Sequence, residues 1–173
     1  SFVHLTSARN VVSLDTVDGI TVLAGSYEGV LRSVDGGISW RIHTEGLPSK
    51  TVLRVRIAPS SPDVVCATTV EGVTRSLDQG RTWQDVSSNL PARNLQALAV
   101  HPRDDRIALV ATETFIFSAR SDSLFRTGQY YDQGVYRTED GGATWYRSDA
   151  GIIEDRLNDV TAHPARPFEV WAG

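Results

Sequence analysis

Apolar residues along this chain fall in short runs, many of them alternating with polar residues. Gly, Pro, Asp and Ser bound each run, which is the pattern of β-strands separated by turns. Read this way, the first stretch of sequence places strands near 9–15, 20–25, 29–33 and 39–43. The next places them near 52–58, 63–69, 72–76 and 82–86, and a third near 95–101, 106–112, 134–138 and 144–148. A further strand is expected near 157–162, and a last one reaches Trp171-Ala172-Gly173. Within each unit the four strands are called A to D in chain order.

The units are repeats. Gly29-Val-Leu-Arg-Ser-Val-Asp-Gly-Gly-Ile-Ser-Trp40 aligns without gaps on Gly72-Val-Thr-Arg-Ser-Leu-Asp-Gln-Gly-Arg-Thr-Trp83 and on Gly134-Val-Tyr-Arg-Thr-Glu-Asp-Gly-Gly-Ala-Thr-Trp145. The offsets are 72 − 29 = 43 and 134 − 72 = 62 residues. A second landmark, Ala58-Pro59, His101-Pro102 and His163-Pro164, repeats with the same two offsets. The third unit therefore carries about 19 extra residues, located between Ala111 and Gly134. A period in the low forties, made of four short strands, is the signature of β-propeller blades, each a four-stranded antiparallel sheet. The expected fold is thus an all-β propeller of about three and a half blades, spanning approximately 9–43, 52–86, 95–148 and the half blade 157–173. It forms one domain, whose remaining blades come from missing sequence or from another chain.

The repeated segments resemble the Asp-box, or bacterial neuraminidase repeat, Ser/Thr-x-Asp-x-Gly-x-Thr-Trp. The matching residues are Ser33, Asp35, Gly37, Ser39 and Trp40, then Ser76, Asp78, Gly80, Thr82 and Trp83, then Thr138, Asp140, Gly142, Thr144 and Trp145. Ser39 in place of Thr is the one departure, and it keeps the hydroxyl. The spacing suits a hairpin: the carboxylate accepts backbone N–H groups within a tight turn, and the glycine takes a positive φ at no steric cost. The Trp is expected to open strand D and to cover apolar surface beside the turn. These residues are accordingly read as structural. Such repeats occur in sialidases, xyloglucan-degrading hydrolases, sortilin-type receptors and a photosystem assembly factor, so the resemblance implies a fold more than an activity. It also favours a secreted, periplasmic or cell-surface setting and leaves a cytoplasmic one open.

Antiparallel connectivity puts A–B and C–D turns at one end of every blade and B–C and D–A loops at the other. The long insertion, 113–133, is a B–C loop and shares its end with the D–A loops around 44–51, 87–94 and 148–156. It holds Phe115, Phe117, Phe125, Tyr130 and Tyr131, half of the chain's Phe and Tyr residues, with Arg120 and Arg126 among them. Aromatics interleaved with arginine suit contact with a protein or with sugar rings. The alternation of Phe115 and Phe117 equally suits an extended hairpin whose aromatics pack on one another. On the inner strands, Arg54, Ala97 and Asp159 share one repeat position, and Leu53, Gln96 and Asn158 the one before it. Polar residues there can line a central pocket or simply face a solvated channel.

Composition narrows the function classes. A formal charge of −4 and a pI near 5.5 argue against broad electrostatic binding to nucleic acid or anionic membranes. No apolar stretch is long enough to span a bilayer as a helix. The absence of Met implies a processed or excised piece of a longer product. Basic residues are skewed to sixteen arginines against Lys50 alone, and Cys66 sits in an apolar run that suits a small buried side chain. His101 and His163 recur in register but precede prolines in separate turns, with no metal-ligand spacing. A glycosidase needs two facing carboxylates. Nothing selects a pair among Glu45, Glu113, Asp122, Asp132, Asp149, Glu154, Asp155 and Asp159. The sequence thus yields no catalytic, cofactor-binding or metal-ligating set. It favours a binding scaffold for a protein or glycan over the second reading, a fragment of a glycoside hydrolase.

Overall fold

A computed structural model describes residues 10–90, 95–112 and 134–150, with the backbone of Val160–Ala162 and Val170–Ala172. Fourteen strands are seen: β1 (Val11–Thr16), β2 (Val22–Ser26), β3 (Gly29–Ser33), β4 (Arg41–His43), β5 (Val52–Ile57), β6 (Val65–Thr69), β7 (Gly72–Ser76), β8 (Gln84–Asp85), β9 (Leu95–Val100), β10 (Ala108–Thr112), β11 (Val135–Thr138), β12 (Tyr146–Arg147), β13 (Val160–Ala162) and β14 (Val170–Ala172). There is no helix among the described residues. The strands form three four-stranded antiparallel meanders, β1–β4, β5–β8 and β9–β12, and a two-stranded sheet, β13–β14. First strands neighbour one another from sheet to sheet, β1 beside β5, β5 beside β9 and β9 beside β13. That is the architecture of a partial β-propeller, with the A strands innermost. Strands A to C lie within one or two residues of their expected bounds. The D strands are shorter, two or three residues, and each begins just after the tryptophan expected to open it.

Each sheet is too small to hold a core of its own, so apolar residues on both faces are buried against the neighbouring sheets. At the first seam Leu23 and Val30 meet Val52, Val55, Ile57, Val65 and Trp83. At the second, Val64, Cys66 and Val73 meet Leu95, Leu98, Val110, Tyr136 and Trp145. Cys66 is accordingly a buried packing residue, and burial pushes its thiol up to about 11, far from a reactive thiolate.

The tryptophans are wedges across these seams, a larger role than cover beside a turn. Trp83 and Trp145 pack against the preceding sheet, and the Trp145 indole N–H donates to Val86 O of that sheet at 2.7 Å. Trp40 instead clusters with Val22, Ala24 and Leu31 of its own sheet, and its indole N–H donates to Gly37 O. Polar stitches reinforce the wedges. Trp83 N–H donates to Glu45 O at 3.0 Å. At the next seam the Asn89 side chain brackets Trp145, accepting from its N–H at 2.8 Å and donating to its carbonyl at 2.7 Å. Arginines on the third strands reach across as well: Arg32 donates to Gln79 O and Oε1, and Arg75 pairs with Asp105 at 2.6 Å.

Gly46 shows how closely the sheets approach. Its φ is +80°, and a Cβ placed there would lie 1.9 Å from Trp83 O. Gly46→Ala is therefore expected to destabilise by about 1–3 kcal/mol from overpacking, with backbone strain added. Trp145→Ala should cost about 3–5 kcal/mol. Urea unfolding measures both. Losses under about 0.5 kcal/mol, the range of ordinary surface substitutions, would contradict the wedge role.

Candidate functional site

The three acidic repeat positions are the first chemistry to weigh, and each proves to be spent inside its own turn. The hydroxyl of Ser33, Ser76 or Thr138 donates to one carboxylate oxygen of Asp35, Asp78 or Asp140 at 2.7, 2.7 and 2.8 Å. The same hydroxyl accepts the N–H of Gly37, Gly80 or Gly142 at 2.9, 2.8 and 2.9 Å. The carboxylate then accepts both the N–H and the hydroxyl of Ser39, Thr82 or Thr144. The glycines sit at φ of +90°, +80° and +95°, as the turn requires. These bonds hold all three carboxyls at about 2. At Asp35 and Asp140 the hydroxyl of Ser39 or Thr144 contributes most; at Asp78 partial burial opposes the shift but is outweighed by the Thr82 N–H and hydroxyl. Such carboxylates are neither proton donors near neutrality nor free ligands. Among the described residues there is no cluster of three His, Cys, Asp or Glu that could hold a metal ion. His101 lies in the A–B turn, where its Nδ1 accepts from Arg103 N–H.

The turns also establish the two ends of the molecule. The N–H of Gly36, Gln79 or Gly141 in the C–D turn donates to the carbonyl of Ile20, Asp63 or Arg106 in the A–B turn, at 2.9 Å each time. Both turn types therefore share one end, and B–C loops emerge at the other. In the first two sheets the B–C loop is a tight reversal. Ser26 or Thr69 donates its hydroxyl to Gly29 O or Gly72 O and receives the N–H of Glu28 or Glu71.

In the third sheet, whose loop is far longer, a different pair of bonds closes the strand ends. Thr112 Oγ1 accepts the Gly134 N–H at 3.0 Å, and Thr112 N–H donates to Gly134 O at 3.2 Å. Segment 113–133 leaves and re-enters the sheet at one closed point. Phe115, Phe117, Arg120, Phe125, Arg126, Tyr130 and Tyr131 lie within it and outside the described residues, as do Asn158, Asp159 and His163. Beside the base, Asp149 accepts from Arg147 Nε at 2.7 Å, so this candidate carboxylate is already paired.

The D–A loops are less open than connectivity alone suggests. Glu45, Gly46, Asn89 and Leu90 are committed to the seams. Of the inner-strand candidates, Leu53 is buried, Arg54 and Gln96 are partly exposed, and Arg54 Nη1 donates to Leu53 O at 2.9 Å. Sequence alignment alone does not find Ser13 and Asp15, which share the strand register of Arg54 and Arg56. Their signal is the polar alternation of Ser13-Leu14-Asp15, and it becomes readable only once the A–B connection, two residues shorter in the first sheet than in the second, is counted.

No protein-family model matches the chain, and no curated protein matches it. Solved structures do. An ancestral GH74 enzyme superposes with a TM-score of 0.68 at 20% identity, over 95% of this chain and 22% of its own. YCF48 bound to D1 peptide gives a TM-score of 0.65 at 14% identity, over 96% and 49%. The GH74 xyloglucanase from Xanthomonas campestris gives 0.61 at 16% identity, over 100% and 29%. The chain spans less than half of each of these proteins. At such identities the likeness establishes the propeller fold.

The depressed carboxyls fix a pH response. Their folded-state value of about 2 lies below the ordinary 3.8, so the stability they confer is fully present above about pH 4 and is lost as pH falls toward 2. The melting temperature of the wild-type chain should drop through that window. A triple Asp35→Asn, Asp78→Asn, Asp140→Asn variant should start lower at neutral pH and fall less in acid. Equal acid sensitivity in both would contradict this.

Proposed function

We propose that the chain is a non-catalytic Asp-box propeller that binds a protein or glycan partner through the end bearing the 113–133 insertion. One observation carries the reading: Thr112 and Gly134 are bonded to each other at the mouth of the third B–C loop, and the segment between them is rich in aromatics and arginine. A long loop on a closed, rigid base is a recurrent way to present a binding surface. Phe125, Arg126, Tyr130 and Tyr131 are the proposed contact residues, with Phe115, Phe117 and Arg120 as further candidates of the same segment. The solved neighbours support both partner classes, since one is bound to a peptide and another is a xyloglucanase. In the proposed assembly the described sheets form one propeller with further blades, supplied by other sequence or another chain.

The test immobilises the chain and presents a polysaccharide panel that includes xyloglucan, together with a peptide library. Phe125, Arg126, Tyr130 and Tyr131 changed together to Ala should reduce capture at least about tenfold, the scale of a hot-spot loss, with the melting temperature unchanged. Undiminished capture by the folded variant would refute the surface. Release of reducing sugar from any glycan would replace the binding reading with the hydrolase one.

A further inference from the structure

The inner edges of the two described seams are finished in opposite ways. Ser13, Arg54 and Ala97 face Gly25, Thr68 and Ala111 in the second strands, and Asp15, Arg56 and Ala99 follow two residues on. At the first seam, Ser13 Oγ accepts the Val55 N–H at 3.1 Å and Asp15 Oδ2 accepts the Ile57 N–H at 2.7 Å. The free amides of the innermost β5 edge are thereby capped by acceptors from β1. At the second seam the capping positions hold Arg54 and Arg56, which can only donate. Both guanidiniums are partly exposed and turn back on their own strand, Arg54 to Leu53 O at 2.9 Å and Arg56 to Val55 O at 3.0 Å. Neither forms an ion pair among the described residues, in contrast to Arg75, Arg106, Arg137 and Arg147. Leu98 and Val100 occupy the places of Val55 and Ile57, and both are buried, so the outward donors at this seam are the two guanidiniums.

Two guanidiniums thus stand where the repeat elsewhere supplies oxygens. We infer that the inner edge between β5 and β9 is a receptor for carboxylates, fitted to an extended acidic peptide with carboxylate side chains two residues apart. Ser13-Leu14-Asp15 is the internal precedent, an extended segment that lays acceptors on successive edge amides. Side chains two apart on a strand are spaced about 6.6 Å, the same interval that separates Arg54 from Arg56 along β5. Guanidinium groups pair with carboxylates through two parallel bonds, so the two arginines would set both the charge and the register of the ligand. This partner chemistry rests on the reading of the chain as a binding propeller, but it uses no residue of the insertion, so the two surfaces fail separately.

The experiment measures fluorescence anisotropy of a labelled eight-residue strand-forming peptide with aspartates at its fourth and sixth positions. A version with asparagines there and an unbranched oligogalacturonate serve as the other arms. The aspartate peptide should bind, the asparagine peptide at least about tenfold more weakly, and the uronate poorly. Arg54→Gln and Arg56→Gln should each lower affinity about tenfold, a typical loss for one charge-assisted pair. Arg103→Gln, in a turn at the opposite end, should leave affinity unchanged, as should the quadruple insertion variant. Melting temperatures confirm that each protein is folded. Absence of binding by the wild-type chain, or equal binding by folded Arg54→Gln and Arg56→Gln proteins, would overturn the receptor. Uronate binding as tight as that of the aspartate peptide would overturn the assignment to a peptide.

Discussion

The packing of one sheet against the next is the interaction on which this molecule depends. A four-stranded sheet of 17 to 19 strand residues cannot exclude water from its own faces, so each sheet acquires its core only where it meets a neighbour. The tryptophan after each repeated turn is the largest side chain available for that purpose, and at Trp83 and Trp145 it is driven into the seam. Around it, backbone and side-chain bonds from Glu45 and Asn89 fix the height at which the next sheet docks. The Ser/Thr–Asp network of the turn holds the tryptophan at the correct point of departure. Turn, wedge and stitch are one device, repeated at each seam with different atoms.

Much of this was legible in the sequence because it is local or periodic. Strand positions follow from alternation, and the turns from a hydroxyl, a carboxylate and a glycine at fixed spacing. The offset of 62 residues, against 43 for the first pair, by itself locates the insertion. What the sequence did not disclose is what crosses between sheets. That Asn89 grips Trp145, that Gly46 must lack a Cβ, or that Arg32 reaches Gln79 depends on pairs 37 to 56 residues apart. No periodicity reports such pairs. The connection between β1 and β2 is two residues shorter than that between β5 and β6, which hides the equivalence of Ser13 with Arg54 from a simple alignment.

The same seams shape where binding can occur. They consume the first halves of the D–A loops, while the repeated aspartates are spent in their own turns and the A–B and C–D end is a lattice of turn bonds. The opposite end, with the closed base at Thr112 and Gly134, and the donor-rich inner edge at Arg54 and Arg56 are what remain for recognition. Both are departures from an otherwise regular repeat. In a scaffold built by repetition, a position that breaks the pattern without a packing reason is the natural place to look for function.

If seams rather than individual sheets carry stability, the described sheets must open together. Native-state hydrogen exchange at single-residue resolution tests this most directly. The seam amides of Val55, Ile57, Trp83 and Trp145 should be as protected as Leu23, Val65 and Val110 within the sheets, and all should share one opening free energy. Seam amides that exchange much faster, while each sheet keeps its own protection, would show that the sheets stand alone and would contradict the account.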